Sequence, residues 1–331
     1  MSNPIRIVHI GLGPLGRMLG PYLTEKDHLQ VVGAVDVDPE KAGLNLGTAY
    51  NLERSLGVAV AGSLDAGMMK DADVAVVTTV SDLQALLPTL EQVLNGGLDV
   101  VSTCEELAYP WVAEPELARR VDDLAKANRV SVLGTGVNPG FLMDFLPAAT
   151  TAVCRNVESI LIERIQDASL RRLPFHQKIG AGLSVEAFRK RVKSRRIRHV
   201  GLTQSMHMVA SRLGWRLERT EDIVEPVVAR TDVRGTDWSV QAGRATGVNQ
   251  TGRGFVDKRE VLTLVFRATV GETQPRDHIR VFGTPEIDLT VNGGINGDVA
   301  TCSIVTNAIP VIHRSPPGLR TMVDIAPISA F

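Results

Sequence analysis

At 331 residues with 44% apolar side chains, the chain exceeds one average domain and has material for two cores. Its 36 basic and 37 acidic residues leave a net charge of −1, which argues for neither nucleic acid nor an acidic substrate as partner. No apolar run reaches the roughly 18 residues of a membrane span, and the N-terminus passes into a strand with no room expected for a signal peptide. The three widely spaced cysteines, Cys104, Cys154 and Cys302, argue against a disulfide framework or a metal cluster and suit a reducing cytoplasm.

The stretch from Arg6 to Asp38 reads strand, tight turn, helix, strand, acid. The turn is Gly11-Leu12-Gly13-Pro14-Leu15-Gly16, and its order within the stretch is that of a dinucleotide-binding βαβ unit. Gly11 permits a sharp exit from the strand, Gly13 lets backbone approach a pyrophosphate, and Gly16 lets the helix lie close to the sheet. The helix N-terminus offers unpaired donors and partial positive charge to the phosphates. Asp36 stands about twenty residues on, where a carboxylate accepts hydrogen bonds from the adenosine ribose and repels a 2′-phosphate. NAD is therefore the first choice of cofactor, and NADP the second if Arg17, Lys41 or Arg54 lies nearby.

After Asp36 the pattern predicts a short helix over Pro39–Gly47, a weak strand at Val58–Val60 and an acid-bounded segment at Leu64–Asp73. A buried strand follows at Ala75–Thr79, placing the hydroxyls of Thr78 and Thr79 at the carboxyl edge where a parallel sheet binds ligand. Further elements are a helix from Ser81 or Asp82 to Leu94, a strand at Asp99–Thr103, a helix over Pro115–Asn128 and a strand at Val130–Leu133. This alternation predicts an α/β fold with a doubly wound parallel sheet. It ends with a buried helix over Phe141–Val153.

From Val157 strands dominate: Ser159–Ile165, Val224–Arg230, Trp238–Gly247, Glu260–Thr269, His278–Phe282 and Ile287–Val291, with helices near Ser184–Val192 and Gly201–Leu213. They predict an α+β domain with a mixed or antiparallel sheet. A last apolar helix spans Asp298–His313, and Pro316–Leu319 forms a rigid exit. The expected division is a dinucleotide-binding domain over 1–140, with 298–331 packing back on it, and a substrate-binding and dimerisation domain over 141–297.

Glu105 and Glu106 follow the Asp99–Thr103 strand at the edge where a nicotinamide ring would lie. One reading makes them acids in the first turn of a helix. The other makes one of them a proton acceptor: amine oxidation needs a neutral nitrogen before hydride leaves, and in reverse a carboxylate assists loss of water from a carbinolamine and stabilises an iminium. Cys104 lines the same edge and is the alternative, as the nucleophile of an aldehyde or semialdehyde dehydrogenase. A third reading is a dinucleotide-binding sensor without turnover. The basic run Arg189–Arg198 lacks aromatic interleaving and reads as a solvated helix face. His199 and His207 follow it and are candidates to line a pocket. Strand alternation sends Arg164 and Gln166 to one face, where the guanidinium could hold a substrate carboxylate or carbonyl.

These residues carry a resemblance. The segments GLGPLG at Gly11–Gly16, STCEEL at Ser102–Leu107, GTGVNPGF at Gly134–Phe141, ATCSIVTNAIPVI at Ala300–Ile312 and SPPGLRTMVD at Ser315–Asp324 resemble the 2,4-diaminopentanoate dehydrogenase family and related NAD(P)-dependent amine dehydrogenases. That group is similar in architecture to dihydrodipicolinate reductase, whose own His-His and DAPSGTA-like motifs are absent here. The resemblance implies a Rossmann domain, a substrate domain, a homodimer, and reversible deamination of an amine to a ketone or aldehyde plus ammonia. It places the catalytic carboxylate at Glu105, Asn138 in the loop beside nicotinamide and Arg164 at a pocket position; apart from the resemblance, Glu106 is a candidate substrate contact. It leaves the amine itself open.

Overall fold

The computed structural model describes residues 3–169, 171, 173–236 and 238–330. The chain forms two compact units, Met1–Phe141 with Gly297–Phe331, and Leu142–Asn296. The first contains β1 (Ile5–Ile10), α1 (Pro14–Thr24), β2 (Leu29–Val35), α2 (Leu46–Ala49), β3 (Val60–Ala61), α3 (Ala66–Lys70), β4 (Val74–Val77), α4 (Leu83–Asn95), β5 (Asp99–Ser102), α5 (Pro115–Ala127) and β6 (Ser131–Gly134). The second contains α6 (Phe145–Thr150), β7 (Asn156–Asp167), α7 (Leu173–Lys178), α8 (Val185–Lys193), α9 (Leu202–Arg212), β8 (Arg219–Val228), β9 (Val233–Arg234), β10 (Ser239–Val240), β11 (Ala245–Val256), β12 (Arg259–Thr269), β13 (Arg276–Thr284) and β14 (Ile287–Asn292). The chain then returns to the first unit as α10 (Gly297–Ile312) and β15 (Gly318–Arg320).

The first unit is built on a parallel seven-stranded sheet in the order β15-β6-β5-β4-β1-β2-β3. Every residue of β4, β5 and β6 is buried, which is why these strands read as continuous apolar or hydroxylic runs rather than alternating ones. The alternation of strand and helix expected from the sequence is the observed one, so the doubly wound fold stands. The order reverses at β1 and β4, and ligands of such sheets bind at the carboxyl ends of the strands on either side of that reversal.

Several local expectations are corrected. Pro39–Gly47 is not a helix, because Asp36 accepts from Asp38 N (2.9 Å) and Asp38 from Glu40 N (3.1 Å), holding the segment in successive turns until Asn45 caps α2. The helix expected from Phe141 starts only at Phe145, where the Asp144 carboxylate accepts the first N–H at 2.7 Å. Trp238–Gly247 is split by a turn whose Gly243 has φ +80°, and the long strand begins at Ala245. The C-terminal tail adds a strand: Ser131 Oγ donates to Ser315 O and Pro316 O, both at 3.0 Å, and Asp122 accepts from Leu319 N, seating β15 beside β6. Among the described residues no helix is long and apolar enough to cross a membrane.

The second unit carries a mixed six-stranded sheet in the order β14-β13-β7-β12-β11-β8, parallel only between β7 and β12. Ile160, Ile162, Leu262, Leu264, Ile279 and Val281 pack in its core with Phe188, Met206 and Val209 from α8 and α9. The period of two continues the inward row of β7 to Arg164, which is only 2% exposed. Asp277 lies directly across on β13 and accepts from Arg164 Nη1 at 3.0 Å. Removing one member of a buried pair leaves the other charge unanswered. Arg164→Met is therefore expected to lower unfolding stability by about 3–5 kcal/mol, and Arg164→Met with Asp277→Leu to recover most of it. Urea unfolding of both variants checks this; equal losses would show that the pair is not what is being read.

Candidate active site

The glycine turn is shaped by contacts that only glycine allows. Gly11 has φ +94°, and a Cβ there would stand 2.7 Å from Thr79 Cγ2 and 2.8 Å from the Thr78 carbonyl. A Cβ on Gly16 would lie 2.1 Å from the Gly11 carbonyl oxygen, so α1 and the end of β1 meet backbone to backbone. Gly13 differs: nothing lies within 4 Å of where its Cβ would point. It caps α1 without a side-chain hydrogen bond, Pro14 follows at the first helical position, and no acid occupies the first turn. That open, positively polarised helix start is shaped for a pyrophosphate.

Asp36 follows β2 beside this turn. Its Oδ2 accepts from Leu12 N at 2.6 Å and from Lys41 Nζ at 3.0 Å, and its Oδ1 accepts from Asp38 N. Burial alone would raise its pKa, but these hydrogen bonds and the ammonium outweigh it and hold the carboxyl below the usual aspartate range. Of the three cations named from the sequence, only Lys41 touches this carboxylate. Arg17 donates to Ala49 O and Arg54 to Thr24 O. Turn, helix start and buried acid fit a dinucleotide.

A recess of about 220 Å³ opens at the carboxyl ends of β1, β4 and β5. Gly13, Pro14, Leu15, Thr78, Thr79, Val80, Ser81, Thr103 and Glu105 line it. Glu105 opens a short 3₁₀ turn, Glu105–Ala108, that lies on Gly134 of β6, where a Cβ would stand 2.6 Å from Leu107 C. Glu106 is turned elsewhere: its Oε2 accepts from Leu83 N at 3.0 Å and so caps α4 with Asp82. Cys104 is 1% exposed and donates to Ser81 O at 3.2 Å, and burial pushes its thiol up to about 12. A thiol so held is not a thiolate near neutral pH.

The remaining predicted residues divide by unit. Asn138 is buried in the loop after β6, whose Val137 N donates to Thr301 Oγ1 on α10 at 3.2 Å. Arg164 has its donors engaged within the second unit, by Asp277, by Ile295 O at 3.1 Å and by Gln166, whose amide oxygen turns to accept from Nη2 and Nε. His207 lies half-buried on α9, and burial lowers its pKa. Sequence reasoning missed His9 and Tyr50, a buried polar pair beneath the turn, because a histidine in a core strand carries no spacing signal. Gly134, which seats Glu105, was visible only as part of a longer motif. Among the described residues no group of three or more His, Cys, Asp or Glu side chains could hold a metal ion.

The model of the 2,4-diaminopentanoate dehydrogenase C-terminal domain matches residues 141–331. The 2,4-diaminopentanoate dehydrogenase of Acetoanaerobium sticklandii is 32% identical over 334 residues, covering 97% of this chain and 93% of its own. The chain belongs to the 2,4-diaminopentanoate dehydrogenase family. It is thereby a 2,4-diaminopentanoate dehydrogenase-like amine dehydrogenase dependent on NAD(P). Solved structures agree on the fold. An amine dehydrogenase from Mycobacterium smegmatis superposes with a TM-score of 0.84 at 23% identity, over 99% of this chain and 97% of that one. A myo-inositol dehydrogenase from Lactobacillus casei, in complex with NAD(H) and myo-inositol, gives 0.59 at 15% identity, over 97% and 90%.

Family membership and the buried thiol together leave Cys104 no covalent role. Cys104→Ser is expected to keep amine dehydrogenase activity within about threefold, and iodoacetamide at about pH 8 to label Cys104 far more slowly than a free thiol. Stoichiometric inactivation tracking Cys104 labelling would contradict this.

Proposed function

We propose that this chain catalyses the reversible oxidative deamination of an amine to a ketone or aldehyde plus ammonia, with Glu105 managing the protons of the reacting nitrogen. One observation carries the reading: Glu105 lines the same recess as Gly13, Pro14 and Leu15 of the glycine turn and the hydroxyl residues that follow β4. The bound dinucleotide supplies a hydride acceptor in one direction and a hydride donor in the other. In deamination the Glu105 carboxylate takes a proton from the substrate ammonium, leaving the lone pair needed for hydride loss from the adjacent carbon. In amination it takes a proton from ammonium, leaving ammonia to add to the carbonyl, returns that proton to the hydroxyl of the carbinolamine as it departs as water, and faces the cationic iminium. The carbon skeleton of the amine is open, and an ammonia-dependent screen over ketones, aldehydes and keto acids would define it.

For the cofactor we favour NAD over NADP. Asp36 and Asp38 carry two negative charges, and Lys41, 3.0 Å from the first and 3.5 Å from the second, returns only one. A 2′-phosphate would meet a net negative cluster, which disfavours NADP. A homodimer and a cytoplasmic setting belong to the same reading, the first implied by the family resemblance and the second by three unpaired cysteines. Arg164, paired with Asp277 and bonded to Ile295 O, and Glu106, which caps α4, have no part in this reading.

Glu105→Gln keeps the size and hydrogen-bonding edge of the side chain but cannot take a proton. It is expected to lower kcat for deamination and reductive amination by about 10²–10⁴ while NADH still binds with a Kd within about threefold of wild type. In the same assays NAD should give a higher kcat/KM than NADP. Full turnover by Glu105→Gln would sink the assignment.

A further inference from the structure

Beneath the glycine turn lies a buried polar chain that the chemistry above does not use. His9, on β1, is fully buried, and Tyr50, which follows α2, is 2% exposed. The ring nitrogens of His9 lie 2.7 Å (Nδ1) from the Tyr50 hydroxyl and 3.0 Å (Nε2) from Thr78 Oγ1. Thr78 Oγ1 in turn donates to the Gly11 carbonyl at 2.5 Å. Counting protons gives the chain a direction. The single hydroxyl proton of Thr78 goes to Gly11 O, so Thr78 must accept from His9 Nε2–H. His9 Nδ1 then carries the lone pair and accepts from the Tyr50 hydroxyl. Burial lowers the imidazole to about 3 and raises the phenol, so neither group changes charge at physiological pH and the direction is fixed.

The same segment grips the turn and α1 in three more places. Tyr50 shares an apolar cluster with Leu12 of the turn, Leu46 and Ala49. Its ring lies under α1, where a Cβ on Gly20 would stand 2.2 Å from Cγ. Arg17 of α1 donates to Ala49 O at 3.2 Å. An imidazole and a phenol hydroxyl are not needed to fill such a space: polar groups replaced together by apolar ones of similar shape commonly cost nothing. What apolar substitutes could not do is orient Thr78 Oγ1 toward Gly11.

We infer that His9 and Tyr50 are positioning residues for the dinucleotide, holding through Thr78 the Gly11 carbonyl and hence the open face of Gly13 in the geometry that receives the pyrophosphate. The inference rests on the dinucleotide reading of the turn. It assigns the relay to binding rather than to proton transfer, and it makes the segment between β2 and β3 part of the cofactor site although none of it lines the recess.

The test compares wild type, Tyr50→Phe and the double variant His9→Leu with Tyr50→Phe, measuring the Kd of NADH by fluorescence titration, kcat at saturating NADH, and Tm. Expected is a rise in Kd of about three- to tenfold in Tyr50→Phe and at least as much in the double variant. kcat at saturation should change less than about twofold, and the double variant should recover Tm lost in Tyr50→Phe because no buried polar atom of the His9–Tyr50 pair is then left unpaired. A Kd unchanged in both variants while Tm falls would make the pair mere packing and overturn the inference. Should the double variant not fold, Tyr50→Phe decides alone on the same criteria. Absence of NADH binding to wild type would instead overturn the dinucleotide reading, and this inference with it.

Discussion

A single backbone contact organises the first unit. Where α1 begins, Gly16 lies so near the Gly11 carbonyl that one added methyl carbon would stand 2.1 Å from the oxygen. Everything the candidate site needs follows from that approach. The start of α1 is brought over the carboxyl ends of β1 and β4, Gly13 faces open space, and Leu12 N is delivered to the Asp36 carboxylate at 2.6 Å. Larger residues at either glycine would push the helix off the sheet, and the open helix start at Gly13 would move with it.

Glu105, the residue proposed to handle the protons, is placed by a second close approach of the same kind. Gly134 allows the Glu105–Ala108 turn to sit directly on β6, and Glu106 is drawn off to cap α4. Two adjacent glutamates of identical chemistry thereby receive different work from local geometry. Glu106 stabilises a helix start by roughly 1 kcal/mol, as such caps do, and Glu105 is left on the wall of the recess. Cys104, one residue earlier, is buried behind that wall and protonated. The strand-to-turn junction thus gives three adjacent reactive residues different surroundings: Glu105 at the recess, Glu106 at the start of α4 and Cys104 in the core.

Much of this was legible in the sequence because it depends on local rules. The glycine spacing, the acid after β2 and the alternation of apolar runs with amphipathic helices each follow from short-range periodicity, and they specify the doubly wound sheet. What could not be read depends on partners distant in sequence. Glu105 and Glu106 are indistinguishable until Leu83 N claims the second. The pairing of Arg164 with Asp277, across the strand pair, joins residues 113 positions apart. Turn chemistry accounts for the misplaced helix after Asp36, since aspartates bonded to their own backbone compete with helix formation. The closing strand β15 was hidden because three residues after a Pro-Pro pair carry no pattern of their own. His9 and Tyr50 were invisible for a similar reason: the two residues are 41 positions apart and meet only through the fold.

The account turns on Glu105 reaching the nitrogen of a substrate, and the most direct measurement is a crystal structure of the protein with NAD and an amine it turns over. It predicts a Glu105 carboxylate oxygen within about 3 Å of the substrate nitrogen, with the carbon bearing that nitrogen against the nicotinamide ring. A Glu105 side chain directed into bulk water, with another ionisable group at the nitrogen, would contradict it.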